Sequence, residues 1–184
     1  MFTQNFGSFL CDGDYIECKV EGFTCRATVY FDEDSGAPWE DEGGHGPVSD
    51  WTPRSKNPGE RELCHAGDCY RYYDFQEACK IARRDGWGSE RDENLTGAQK
   101  AAKAAERDYE VLKAWCNDKW QYFGIAVTVF RDDVPLTGKY DHALWGLEGN
   151  YPDSDNNYFI EKANDLLMEA LDAAKEKLQK LCSR

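Results

Sequence analysis

The sequence predicts an α+β fold, a four-stranded and mainly antiparallel sheet made of two hairpins and packed against about three helices, in the order ββ-loop-αα-ββ-α. Three observations predict it: two segments alternate apolar and polar residues on a period of two, three segments repeat apolar residues at helical spacing behind cap signals, and one long irregular stretch parts the first strands from the first helix. A chain of 184 residues, 41% hydrophobic and 14% aromatic, has apolar surface enough for a core and length for one domain spanning 1–184.

In the run YIECKV-EG-FTCRATVYF, Ile16, Cys18 and Val20 share a face that Phe23, Cys25, Ala27, Val29 and Phe31 continue. That pattern reads as a hairpin with one buried face, closed by a two-residue turn in which Gly22 supplies positive φ. Cys18 and Cys25 are expected to face the core.

From about residue 32 to 70 the text is irregular, with clustered acids, Pro38, Pro47, Pro53, Pro58 and the stretch Gly43-Gly44-His45-Gly46. It reads as a long acidic and aromatic loop, the kind of connection that is often functional.

Asp74 followed by Glu77 marks a helix start, Phe75, Ala78, Cys79 and Ala82 share its face, and Gly86 stops it. Thr96 with Gln99 opens a second helix, whose Ala98, Ala101, Ala102, Ala105, Tyr109, Leu112, Trp115 and Cys116 recur at helical spacing to about Asp118. YFGIAVTVF at 122–130 is a strand by its β-branched and aromatic residues, and Pro135 and Gly138 turn it into a return strand at about 139–147. Ser154 to Asn157 then cap a long helix whose stripe is Ile160, Ala163, Leu167, Ala170, Leu171, Ala174, Leu178 and Leu181.

Net charge is -13, and residues 12–50 hold eleven acids against Lys19 and Arg26, whereas 61–121 is nearly balanced. A field of that sign repels nucleic acid and anionic membrane and attracts basic surfaces. No apolar run approaches the roughly 18–20 residues that span a bilayer. The opening MFTQNFGSFLCDGDY lacks a basic, then apolar, export signal, so an intracellular protein is expected and its eight Cys are read mostly as buried thiols.

One metal candidate stands out, Cys64, His65 and Cys69, with His45 as a possible fourth ligand. Zinc takes such donors, but the spacing is at the edge of its usual range and no second knuckle follows. Two ordinary thiols in a loop is the favoured reading, so no cofactor is expected. Cysteine nucleophilic catalysis would need a positioned His, and none of the three sits in a local signature. With 35 acidic residues, carboxylate proximity carries no catalytic information, and neither GxxxxGK[ST] nor GxGxxG occurs. The chain therefore reads as a binder, not an enzyme.

Trp39 and Trp51 lie inside the acidic stretch and outside any apolar stripe. They are either a lid over one end of the sheet or, with Asp32, Glu33, Asp34, Glu40, Asp41, Glu42 and Asp50, an acidic and aromatic contact patch, since Trp anchors dominate interface energetics.

Three stretches, GHGPVSDWTPRSKNPGER (44–61), YYDFQEACKIARRDGW (72–87) and LWGLEGNYPDSDNNYFIEKANDLLMEAL (144–171), carry a further likeness. Over most of its length the chain resembles small acidic accessory proteins encoded by bacteriophages, prophages and plasmids. The resemblance implies a bacterial host cytosol and carries no catalytic residues. It also implies counter-defence, as an inhibitor of the anti-CRISPR or anti-restriction type that docks on a basic nucleic-acid-binding surface of a host protein. Two other expectations stand beside it, a zinc- or thiol-dependent enzyme using Cys64, His65 and Cys69, and an accessory protein of phage replication or packaging.

Overall fold

The structure is a computed structural model and describes residues 1–40, 44–87 and 94–182, the side chain of residue 182 excepted. The chain is α+β, as the patterns predict; the described residues form three α-helices, one five-stranded antiparallel sheet, where two hairpins of four strands are expected, and one two-stranded sheet. Where one domain over 1–184 is expected, two compact units occur, one made of 1–35 with 120–184 and the other of 36–119. Each has its own apolar cluster, because the apolar faces of the elements in 36–119 are spent on one another.

In the first unit, β1 (Tyr15–Val20) and β2 (Phe23–Phe31) form the expected hairpin with Cys18 opposite Cys25. Glu21 and Gly22 both take positive φ, 51° and 81°. A two-residue turn of that hand matches the right-handed twist of the strands, and only Gly adopts it without strain. β5 (Gln121–Arg131) pairs antiparallel with β2 on one side, and with β6 (Val134–Pro135) and β7 (Ala143–Gly149) on the other. The return strand thus begins later than the expected 139 and reaches Gly149.

Ala27, Val29, Phe123, Ile125, Val127 and Val129 present a fully buried face, and α3 (Tyr158–Cys182) lays Phe159, Ala163, Ala170, Leu171 and Ala174 on it. The expected stripe is thus the packed face, except that Leu181 is exposed at the end. Ala at three of these positions lets helix and sheet approach closely, so the aromatic bulk of Phe123 and Phe159, edge to face at 6.3 Å, fills the layer between them. Phe2 and Leu10 join this core. The segment before β1 is tied in by carboxamides, as Asn164 exchanges two hydrogen bonds with the backbone of Phe2 and Asn150 two with that of Leu10.

In the second unit the expected loop at 32–70 needs correction. It contains a 3-10 turn (Pro38–Glu40) and a whole strand, β3 (Glu60–Ala66), which pairs with β4 (Cys69–Asp74). Val48 and Thr52 add bridges to Tyr73 and Tyr70 on β4. The hairpin closes through Gly67-Asp68, with Gly67 at φ 58°. Expected helix boundaries hold closely. α1 (Phe75–Asp85) is capped by Asp74, which accepts from the Glu77 N–H, and ends at Gly86 in the left-handed conformation. α2 (Gly97–Cys116) starts with a complete capping box between Thr96 and Gln99, a motif that contributes about 1 kcal/mol.

A second correction concerns what the helices cover. α3 packs on the five-stranded sheet, while α1 and α2 pack on each other and on the β3–β4 hairpin, burying Leu63, Tyr73, Ala78, Ala105, Tyr109 and Leu112.

Glu60 at the start of β3 fixes the turn before it. Its two oxygens accept from both terminal nitrogens of Arg54, each at 2.7 Å, and from the backbone and side chain of Asn57. The Arg54 guanidinium, helped by the Asn57 N–H, pushes the Glu60 carboxyl down to about 2. A group titrating lower when folded than when unfolded stabilises fully above its unfolded value and loses that contribution as pH falls through the folded one. Glu60→Gln is accordingly expected to cost about 1 kcal/mol near neutrality, the partly exposed Arg54 screening the pair, and almost nothing near pH 2. Urea midpoints of parent and variant compared across that range check it; a constant gap would contradict it.

Candidate binding cleft

Three strand features build a cleft on the first unit. Ile125 pairs with Leu144 and Phe123 with Leu147, so Trp145 and Gly146 together oppose the single residue Gly124. Two residues against one is a β-bulge, a device that re-aims a side chain. Here it turns the Trp145 indole across Gly124, where a Cβ would stand inside the ring. Only glycine leaves that space. The neighbouring strand places Tyr30 opposite Gly124, and the Tyr140 ring meets both Tyr30, edge to face at 5.3 Å, and Trp145, at 5.7 Å.

Carboxylates close the other side. The chain leaves β2 through Asp32, whose Oδ2 accepts from the Ser35 hydroxyl at 2.9 Å and from the Gly146 N–H at 2.8 Å. That second bond ties the acidic turn to the bulge. Asp12 accepts from the Phe31 N–H at 2.9 Å. Glu33 and Asp34 are exposed, and among the described residues their carboxylates have no partner. The result is an open cleft of about 760 Å³ in which these four acids face one base, Lys139.

Lys139 is held by rings, its Nζ lying 4.2 Å from the Tyr30 centroid and 4.7 Å from that of Tyr140. A hydrogen bond to the Tyr140 hydroxyl, with a smaller push from Asp12, raises its pKa, so it is an ammonium at every physiological pH. Ammonium over tyrosine faces is a cation–π arrangement.

The other residues expected in a contact patch lie elsewhere. Trp39 is half-buried in the second unit, edge to face with Trp115 at 5.1 Å, and the Arg71 guanidinium lies between it and Trp51, at 5.2 and 5.0 Å from the two rings. Pro38 beside it is buried. Trp39 thus packs against α2 within the second unit, not over the five-stranded sheet, whereas Trp51 is exposed. Glu40 and Asp50 are exposed on the same unit, and Asp41 and Glu42 lie outside the described residues. Among the described residues of the expected patch, only Asp32, Glu33 and Asp34 enter the cleft. Asp12 belongs to the acidic segment 12–50 expected to dock, whereas Tyr30, Lys139, Tyr140 and Trp145 are not among the expected contact residues, though Gly146 beside Trp145 and the lone Gly124 within an apolar strand signal a bulge and a close approach.

Cys64, His65 and Cys69 lie on the β3–β4 hairpin. Cys64 pairs with Arg71 and His65 with Tyr70, so they point to opposite faces. His65 reaches Glu62 at 3.0 Å, and His45 is bound to Asp108 at 2.5 Å. Among the described residues, no three His, Cys, Asp or Glu stand together as a metal site. Two thiols are driven away from nucleophilic form: burial, then the neighbouring Cys18, pushes Cys25 up to about 12, and burial, then Cys64, pushes Cys116 up to about 12. No helix among the described residues is long and apolar enough to cross a membrane. Compared with protein-family models, with curated proteins and with solved structures, the chain matches none.

Proposed function

We propose that this chain is a non-enzymatic binding protein whose acidic cleft docks on the basic surface of a nucleic-acid-processing protein. The observation that carries this reading is that Glu33 and Asp34 stand exposed and, among the described residues, unpartnered beside Asp12, Asp32 and three aromatic rings. Carboxylates so placed present a basic surface with negative charge where it would otherwise meet phosphate, and the rings offer the desolvated contact area that charge alone lacks. The resemblance to accessory proteins of bacteriophages and plasmids adds a host defence enzyme as the class of target and the bacterial cytosol as the place.

Immobilised protein is expected to retain a partner from bacterial lysate at low salt and release it at about 0.5 M, where the Debye length falls to roughly 4 Å. The Asp32→Asn, Glu33→Gln, Asp34→Asn triple variant should retain at most a tenth as much. A partner held equally by the triple variant, or at both salt concentrations, would remove the electrostatic reading.

A further inference from the structure

The cleft already holds a cation, and the manner in which it does so is informative. Lys139 rests on the faces of Tyr30 and Tyr140, yet among the described residues it has no carboxylate within ion-pair distance, although four acids line the same space. It is an exposed side chain on the connection leading to β7. Elsewhere on this unit a basic group in a comparable setting is locked: Arg26 lies over Tyr15 and Phe130 and also pairs with Glu17 at 2.8 Å. Lys139 therefore occupies its aromatic walls without neutralising the acids, and the cleft volume of about 760 Å³ leaves room for far more than one ammonium.

From this geometry we infer that the cleft seats the ammonium of a lysine side chain from the docked partner, and that Lys139 is the intramolecular stand-in which that lysine displaces. The inference rests on the binding reading above and gives it a chemistry. An incoming lysine would place its charge over the tyrosine faces, its methylene stem along Trp145, and the adjoining backbone near Glu33 and Asp34. Lys139, freed, remains within a solvated acidic field and stays charged. The seat favours a compact ammonium because that is the group its walls already accommodate, and a neutral side chain of equal length would forfeit both the ring and the carboxylate attraction.

The probe is an acetylated, amidated Gly-Lys-Gly peptide, with norleucine in place of lysine as the uncharged control, titrated while the Trp145 indole N–H is followed by NMR. The lysine peptide is expected to shift that signal and to bind at least tenfold more tightly than the norleucine peptide. Lys139→Met should raise its affinity roughly three- to tenfold by removing the competitor, whereas Lys19→Met should not, the same charge change on β1 opposite Thr24, six residues or about 20 Å along β2 from Tyr30. Tyr140→Leu, on an exposed ring, should weaken binding at least fivefold.

Equal binding of the two peptides, or no gain in Lys139→Met, would overturn the inference. Lysine binding that survives Tyr140→Leu but vanishes in the Asp32, Glu33 and Asp34 triple variant would overturn the seat and leave acidic docking standing. Partner capture that ignores the triple variant would instead overturn the docking reading, whatever the peptide does.

Discussion

Asp108→Asn is expected to destabilise the unit at 36–119 by about 3 kcal/mol. The Asp108 side chain is only 8% exposed, and both of its oxygens are used: Oδ1 accepts from His45 Nδ1 at 2.5 Å, and Oδ2 accepts from the Gly46 N–H at 2.7 Å and the Tyr73 hydroxyl at 2.6 Å. Three donors from two segments thus converge on one carboxylate on α2. An amide of the same shape has a single acceptor oxygen and turns an NH2 group towards at least one of those donors. The Tyr73 hydroxyl keeps a second acceptor, the Ala105 carbonyl at 3.2 Å, but the Gly46 N–H is buried where water cannot take the vacated place, and an unsatisfied buried donor costs roughly 1–3 kcal/mol. Burial, reinforced by the Asp108 carboxylate, raises the Tyr73 pKa far above the ordinary value, so its hydroxyl remains the donor. Urea unfolding gives the difference, and Tyr73→Phe should cost less than Asp108→Asn while adding little to it, because the two share one interaction. A variant within about 0.5 kcal/mol of the parent would show that the segment around His45 is held by something else.

Gly124→Ala is the next largest change, expected at about 2 kcal/mol, the scale of overpacking by one methyl group. The backbone of Gly124 needs no left-handed conformation. The whole cost comes from the Trp145 ring lying where the methyl would go, and the ring has an exit because it is 42% exposed. Relief therefore comes by swinging the indole outwards, which opens the wall it shares with Tyr140. The same substitution should weaken partner capture, coupling a strand glycine to binding. Unfolding measurements with the Trp145 indole signal report both effects, and an unmoved indole at unchanged stability would contradict the account of the bulge.

These two sites also show which parts of the structure the sequence discloses. Helix ends were legible because their signals are local: Asp74 with Glu77, Thr96 with Gln99 and Gly86 each act within one turn. The hairpin at Glu21-Gly22 was legible because a period of two on both sides of a turn residue admits few other readings. β3 was missed because ERELCHA carries five ionisable residues and lies partly exposed, so its alternation is weak, and its partner CYRYYD resembles the approach to a helix. Gly67-Asp68 between the two runs was the available sign. Phe2 and Leu10 were missed for a different reason. They reach the core through bonds to Asn164 and Asn150, more than a hundred residues away, and no local pattern records such a contact.

The cleft was half legible. A run of three acids after β2 announces itself by composition, which is how Asp32, Glu33 and Asp34 were found. Its aromatic walls come from three separate strands and connections, and they meet only because the bulge at Trp145-Gly146 shifts one strand by a residue. Trp39 misled for the converse reason: a tryptophan in irregular text looks free, but here it packs against Trp115 on α2. Segregation into two units was hidden because amphipathic stripes state that a face is buried and do not state against what.

Once a partner is captured, the dependence of its dissociation constant on salt tests the central claim most directly. If the cleft carboxylates carry the interaction, affinity falls steeply between about 0.05 and 0.5 M salt for the parent. The Asp32→Asn, Glu33→Gln, Asp34→Asn variant then binds more weakly at low salt and with a distinctly shallower slope. Parallel lines of equal affinity for parent and variant would contradict it.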